Sequence, residues 1–185
     1  MHSENISAQA ALRRLKKGNA VYLDSTTASG DVSLKTRVET CQHGQKPFAV
    51  IVACSDSRVV PEFVFSVGLG ELFVVRVAGN VIDNNQLGSI QYAVEHLGCN
   101  LVVVLGHTHC GAVAAALADN SGFVKCITDE IKHAIAGVTD ATNAAVLNVK
   151  HSVAKIKKLL KTPEGVEVVG ALYRTENGAV DFDIE

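Results

Sequence analysis

Two short segments of this chain carry residues that can do chemistry: Cys54-Ser55-Asp56-Ser57-Arg58 and His107-Thr108-His109-Cys110-Gly111. Each ends a run of apolar, largely β-branched residues. Phe48-Ala49-Val50-Ile51-Val52-Ala53 precedes the first, and Leu101-Val102-Val103-Val104-Leu105-Gly106 precedes the second. Thiols, imidazoles, a carboxylate and a guanidinium therefore sit where buried strands stop, the place where open α/β sheets put their ligand sites. Cys54, His107 and Cys110 make three ligands suited to Zn2+, one fewer than a closed structural site needs. His107 and Cys110 are three residues apart at a strand-to-helix turn, so both can point at one ion. Cys110 also sits near a helix N-terminus, where the dipole and free N–H groups favour a thiolate.

His109 competes with His107 as ligand, but its adjacency to Cys110 should turn its side chain away. Single cysteines also occur as small buried hydrophobes. Cys41, Cys99 and Cys126 match no ligand spacing and read as structural thiols. Asp56 and Arg58 are two positions apart in one turn. A carboxylate there can accept a hydrogen bond from a metal-bound water, and the guanidinium can keep it ionised and oriented. The same pair also fits an ordinary loop salt bridge.

The scaffold that must position these segments reads as alternating strands and helices. Broken helical spacing covers Ala8 to Leu23, and Ser33 fits the N-cap of a second helix ending near Cys41. Phe48–Ala53, Leu72–Val77 and Leu101–Leu105 read as strands, the first and third buried on both faces. Pro61 opens a short helix, and Asn84 or Asn85 caps one running to His96 with Gly98 stopping it. Helical stretches follow over Gly111–Ala118, Phe123–Ala136 and about Thr139–Lys161. Val166–Tyr173 and Val180–Ile184 form a hairpin turned at Asn177-Gly178. The expected fold class is α/β: a mainly parallel central sheet flanked by helices, with an antiparallel C-terminal edge hairpin and an N-terminal helical arm over about residues 1–45.

The chain has 185 residues, which suits a single domain over 1–185. Hydrophobic residues make up 48% and charged residues 19%, and the mean hydropathy is +0.22. That is greasy for a monomer and points to buried subunit contacts. The net charge of −2 gives no reason to expect a nucleic-acid or membrane partner. The basic run Arg13-Arg14-Leu15-Lys16-Lys17 reads as a solvated helix face. No stretch approaches the ~20 apolar residues of a membrane span. No signal pattern opens the chain, and five cysteines in no disulfide-like spacing suit a reducing, cytoplasmic setting.

Together, Cys-Ser-Asp-Ser-Arg-Val at 54–59, Gly-His-x-x-Cys-Gly at 106–111 and Arg-x-Ala-Gly-Asn at 76–80 resemble the motifs of the beta-class carbonic anhydrases. The resemblance runs from about Leu12 to the final hairpin. It implies one Zn2+ per subunit on Cys54, His107 and Cys110, and reversible hydration of carbon dioxide to bicarbonate and a proton by zinc-bound hydroxide. It implies Asp56 and Arg58 as the catalytic dyad. Gln45, Phe73, Tyr92 and Gly111 match the substrate pocket, part of which comes from a neighbouring subunit in a homo-oligomer, either a dimer or a dimer of dimers. The N-terminal helix around Leu12 and Leu15 would embrace that partner. Phe73 and Tyr92 also fit plain core, Gln45 an exposed loop and Gly111 a tight turn.

A regulated subgroup of the family has tryptophan and glycine where this chain has Ile51 and Ala53, so its non-catalytic bicarbonate site is not expected. With two thiolates neutralising the ion, activity should rise on the alkaline side. His96, one turn beyond Tyr92, and His43 are candidate proton shuttles. Two rival readings are hydrolysis of a carbon dioxide analogue, COS or CS2, and a non-catalytic zinc-binding relative. Intact Asp56 and Arg58 favour carbon dioxide over both.

Overall fold

The two uninterrupted apolar runs become adjacent central strands. The computed structural model describes residues 6–27, 30–119, 122–161 and 163–184. Its strands are β1 (Ala49–Ala53), β2 (Leu72–Arg76), β3 (Leu101–His107), β4 (Glu167–Tyr173) and β5 (Val180–Ile184). They lie in the order β2-β1-β3-β4-β5; the first four run parallel, and β5 pairs antiparallel with β4. The helices are α1 (Ala8–Asp24), α2 (Leu34–His43), α3 (Pro61–Val64), α4 (Asn84–Glu95), α5 (Gly111–Leu117), α6 (Lys125–Ala134) and α7 (Ala141–Leu159).

Successive strand residues point to opposite faces, and here both faces are covered. Ala49, Ile51 and Ala53 of β1 pack with Leu101, Val103 and Leu105 of β3 beneath Ala8, Ala11 and Leu15 of α1 and Phe65. Val50, Val52, Val102 and Val104 pack on the other side, against Ile90 and Val94 of α4 and Val149 and Ile156 of α7. That double covering is why these strands read as continuous apolar runs instead of alternating ones. It also accounts within the chain for α1: Leu15, expected to face a partner, is fully buried against the chain's own sheet.

Local signals set most boundaries. The Ser33 hydroxyl caps α2, Pro61 opens α3, and Gly98 follows the end of α4 at φ 70°. The cap of α4 is a correction. Asp83, not Asn84 or Asn85, holds it in a reciprocal capping box with Gln86, where a carboxylate also favours the positive end of the dipole. Strand β3 continues two residues past Leu105 because β4 pairs with it as far as His107–Tyr173. Helix α6 starts at Lys125, after a 3-10 turn over Gly122–Val124.

Helix α7 sits unusually close to the sheet. A Cβ on Gly106 would lie 2.4 Å from Val149 Cγ2, and one on Gly170 2.7 Å from Val149 Cγ1. Two glycines on neighbouring strands thus let one valine seat the helix. At the sheet's other face, buried Asn19 of α1 donates to the Val64 and Gly178 carbonyls at 3.2 and 2.9 Å. Its Oδ1 accepts from Val180 N–H at 3.0 Å, tying α1 to the β4–β5 turn.

Candidate metal centre

Chain direction reverses across the sheet between β1 and β3: from β1 the chain goes to β2 on one side, then returns to β3 on the other. The carboxyl ends of strands flanking such a switch point form a crevice. Ala53 pairs with Leu105 there, so Cys54, one residue past β1, meets His107 at the end of β3. Cys110 occupies the N-cap position of α5. The ligating atoms of Cys54, His107 and Cys110 all lie within 4.8 Å of one another, and all three residues are buried.

The histidine is set up as a ligand. Its Nδ1 lies 2.9 Å from the Thr108 carbonyl. A carbonyl only accepts, so Nδ1 carries the proton and Nε2 presents its lone pair. That Nε2 is buried and makes no hydrogen bond among the described residues. A buried lone pair facing two sulfurs is the donor set of a borderline-soft cation, and three donors of this kind fit zinc. Cys54 is pulled below the ordinary thiol range, first by a hydrogen bond from Cys110, against the effect of burial. Cys110 is pushed up in turn, because its proton is held against the Cys54 sulfur. Gly79 N–H also donates to Cys54 Sγ at 3.3 Å.

Asp56 stands beside the three ligands, with Oδ2 4.0 Å from His107 Nε2. Arg58 grips both of its oxygens, Nε to Oδ1 at 3.0 Å and Nη2 to Oδ2 at 2.7 Å, and the Arg58 backbone N–H adds a third bond to Oδ1. This arrangement holds the carboxyl well below the usual carboxylate range. Arg58 Nη2 also donates to the His109 carbonyl at 3.1 Å, which joins the two chemical segments. His109 itself is exposed at φ 57° and contributes its backbone, not its ring, to the site. Arg76 braces the first turn, donating to the Cys54 carbonyl at 3.1 Å and the Asp56 carbonyl at 2.7 Å.

The expected pocket residues divide. Gly111 starts α5 directly after Cys110, and a Cβ there would meet no atom within 4 Å. Phe73 lies on β2 three residues before Arg76, the partner of Ala53. That separation places it roughly 10 Å back along the strand from the cluster of Cys54, His107 and Cys110. It is half-buried, and its ring lies 6.1 Å from that of Tyr92, which is 46% exposed. Gln45 is exposed in the loop after α2. The fold therefore gathers the ligands and the Asp56–Arg58 pair, and it leaves Gln45, Phe73 and Tyr92 apart from them within one chain. The His96 ring lies tilted against that of Tyr92, ring centroids 5.3 Å apart, and His43 ends α2; both are exposed.

Sequence reading missed the sulfur-facing N–H of Gly79 and the brace of Arg76, although Arg-x-Ala-Gly-Asn marked the segment. Of the remaining cysteines only Cys99 is internal. Burial pushes its thiol up to about 12, and it donates to the Pro47 carbonyl. Cys41 and Cys126 are exposed on their helices, which corrects the expectation of structural thiols.

A family model described as carbonic anhydrase matches residues 49–180. A carbonic anhydrase of Mycolicibacterium smegmatis is 37% identical, covering 96% of this chain and 94% of that protein. Carbonic anhydrase 2 of Mycobacterium tuberculosis is 50% identical over 62% of this chain and 55% of its own length. Among solved structures, a tetrameric beta-carbonic anhydrase from Sordaria macrospora superposes with a TM-score of 0.68 at 26% identity, over 80% of this chain and 91% of that one. The chain belongs to the beta class of the carbonic anhydrase family and is an enzyme of that family. No helix among the described residues is long and apolar enough to cross a membrane.

Proposed function

We propose that the chain holds one Zn2+ on Cys54, His107 and Cys110 and catalyses the reversible hydration of carbon dioxide to bicarbonate and a proton. The observation that carries this reading is the buried lone pair of His107 Nε2, facing two cysteine sulfurs and flanked by the carboxylate that Arg58 grips. Bound zinc supplies Lewis acidity, so that a water molecule becomes a nucleophile near neutral pH. Asp56, kept ionised by Arg58, is an acceptor only. It would accept a hydrogen bond from that nucleophile and so aim the oxygen lone pair at carbon dioxide. With both oxygens engaged by Arg58, Asp56 acts as an orienting group and not as a fourth ligand. The open space in front of Gly111 leaves its backbone accessible to substrate oxygen.

The substrate pocket is completed by a second copy of the chain, which contributes Gln45, Phe73 and Tyr92. Their separation from the ligands within one chain supports this, as does the exposure of Tyr92. Helix α2 has no buried residue and exposes Leu34 and Val38, four residues apart on one face. The Sordaria macrospora relative is described as tetrameric. The assembly is therefore a homodimer or a dimer of dimers. The five free cysteines suit a reducing compartment.

Stopped-flow hydration of carbon dioxide by zinc-loaded protein tests the activity; turnover no faster than buffer would overturn it. Sedimentation of Val38→Arg against the parent protein tests the assembly. Dissociation with loss of activity is expected, and a parent protein that sediments as a monomer would sink the shared pocket.

A further inference from the structure

The hydrogen bond from Gly79 to Cys54 depends on a backbone turn that has no reason of its own to exist. Gly79 and Asn80 are successive residues at φ 68° and 45°. A non-glycine residue in the left-handed region persists only where its surroundings hold it there. Those surroundings come from α7. Asn148 Nδ2 donates to the Gly79 carbonyl at 2.7 Å, and one helical turn later Ser152 Oγ donates to the Asn80 carbonyl at 3.2 Å. Both side chains are 1% exposed. A polar side chain so deeply buried on a helix interior needs a reason beyond packing, and the two carbonyls of this turn take both donors.

The opposite side of the turn is closed by packing. A Cβ on Gly79 would lie 2.8 Å from Ile131 Cδ1 and 3.1 Å from the Ala112 Cβ. The turn is thus held between α5 and α6 on one side and two donors of α7 on the other. The seating of Val149 against Gly106 and Gly170 fixes the height of α7 beside these donors. With the Gly79 carbonyl pinned, its N–H points at the Cys54 sulfur. A hydrogen bond to a ligand sulfur stabilises its charged form, and partners one step removed from the ligands hold a metal site in shape.

We propose that Asn148, assisted by Ser152, is a positioning residue that aims the Gly79 N–H at Cys54 and so sets the zinc affinity of the site. This rests on the reading of Cys54, His107 and Cys110 as zinc ligands, and the test separates the two. The Gly79 amide is followed by NMR in metal-free protein, and zinc affinity by chelator competition, for the parent, Asn148→Ala, Ser152→Ala and the surface control Lys150→Ala. In Asn148→Ala the Gly79 amide should move upfield and exchange faster, and zinc affinity should fall ~10–100-fold. Ser152→Ala should shift both readouts in the same direction by less, and Lys150→Ala should leave both as in the parent. If Asn148→Ala does not fold, Ser152→Ala decides by the same two readouts. An unchanged Gly79 amide, or zinc affinity unchanged in folded variants, overturns the proposal. A parent protein that binds no zinc overturns the metal reading, and the amide alone then decides the positioning.

Discussion

Arg58 holds Asp56 by two parallel hydrogen bonds, of 3.0 and 2.7 Å, from one guanidinium to one carboxylate. Only a planar fork can make both at once. Arg58→Lys should therefore keep the charge and lose the alignment. We expect kcat/KM for carbon dioxide hydration to fall ~10–100-fold while bound zinc, measured by elemental analysis, stays at one per chain. An activity equal to the parent's would show that charge alone suffices.

Asp56→Asn keeps the shape and removes the negative acceptor. Its turnover should fall by ~10²-fold or more, the usual cost of a group that orients or stabilises the reacting atoms. Zinc content should be unaffected, because Asp56 is not among the three proposed ligands.

Removing a ligand separates metal binding from folding. Cys54→Ser should lose tight zinc binding and the stabilisation that zinc confers, seen as a melting temperature that no longer rises with added zinc. Cys126→Ser, an exposed thiol outside the site, should behave as the parent in both assays.

The Asp56–Arg58 pair also carries a pH signature in metal-free protein. The folded value of Asp56 lies below its ordinary 3.8. Its contribution is thus fully present above about pH 4 and is lost as the pH falls through that value toward the lowered one. Urea midpoints of the parent and Arg58→Ala should differ at pH 6, and the gap should narrow on acidification toward pH 2. A gap that widened with acid would contradict the assignment.

Asn19 supports the fold from α1. Asn19→Ala removes two donors and an acceptor from buried backbone partners. Unsatisfied buried groups of this kind cost about 1–3 kcal/mol each, so a loss of several kcal/mol in chemical denaturation is expected. Leu15→Ala, emptying a fully buried site, should cost about 2–5 kcal/mol.

Much of this molecule was legible along the chain. Apolar runs gave β1 and β3, Ser33 and Pro61 marked helix starts, and Asn177-Gly178 marked the hairpin, because each signal acts within a few residues. The cap of α4 was misplaced by one or two residues because Asp83, Asn84 and Asn85 are all good caps. Only the reciprocal bond with Gln86 chooses among them.

The sequence by itself determined the candidate ligand types, their order and the Asp56–Arg58 pair, since two positions apart in a turn is a local relation. What only the tertiary structure decided is every relation that crosses the sheet. The β1–β3 switch point brings Cys54 to His107 across 53 residues of chain. The register of β2 leaves Phe73, with Tyr92 of α4 beside it, at a distance from them. Helix α7 lends Asn148 and Ser152 to a turn about 70 residues away. Such contacts depend on strand order and helix docking, which buried residues many positions apart fix jointly, so no single segment contains the information.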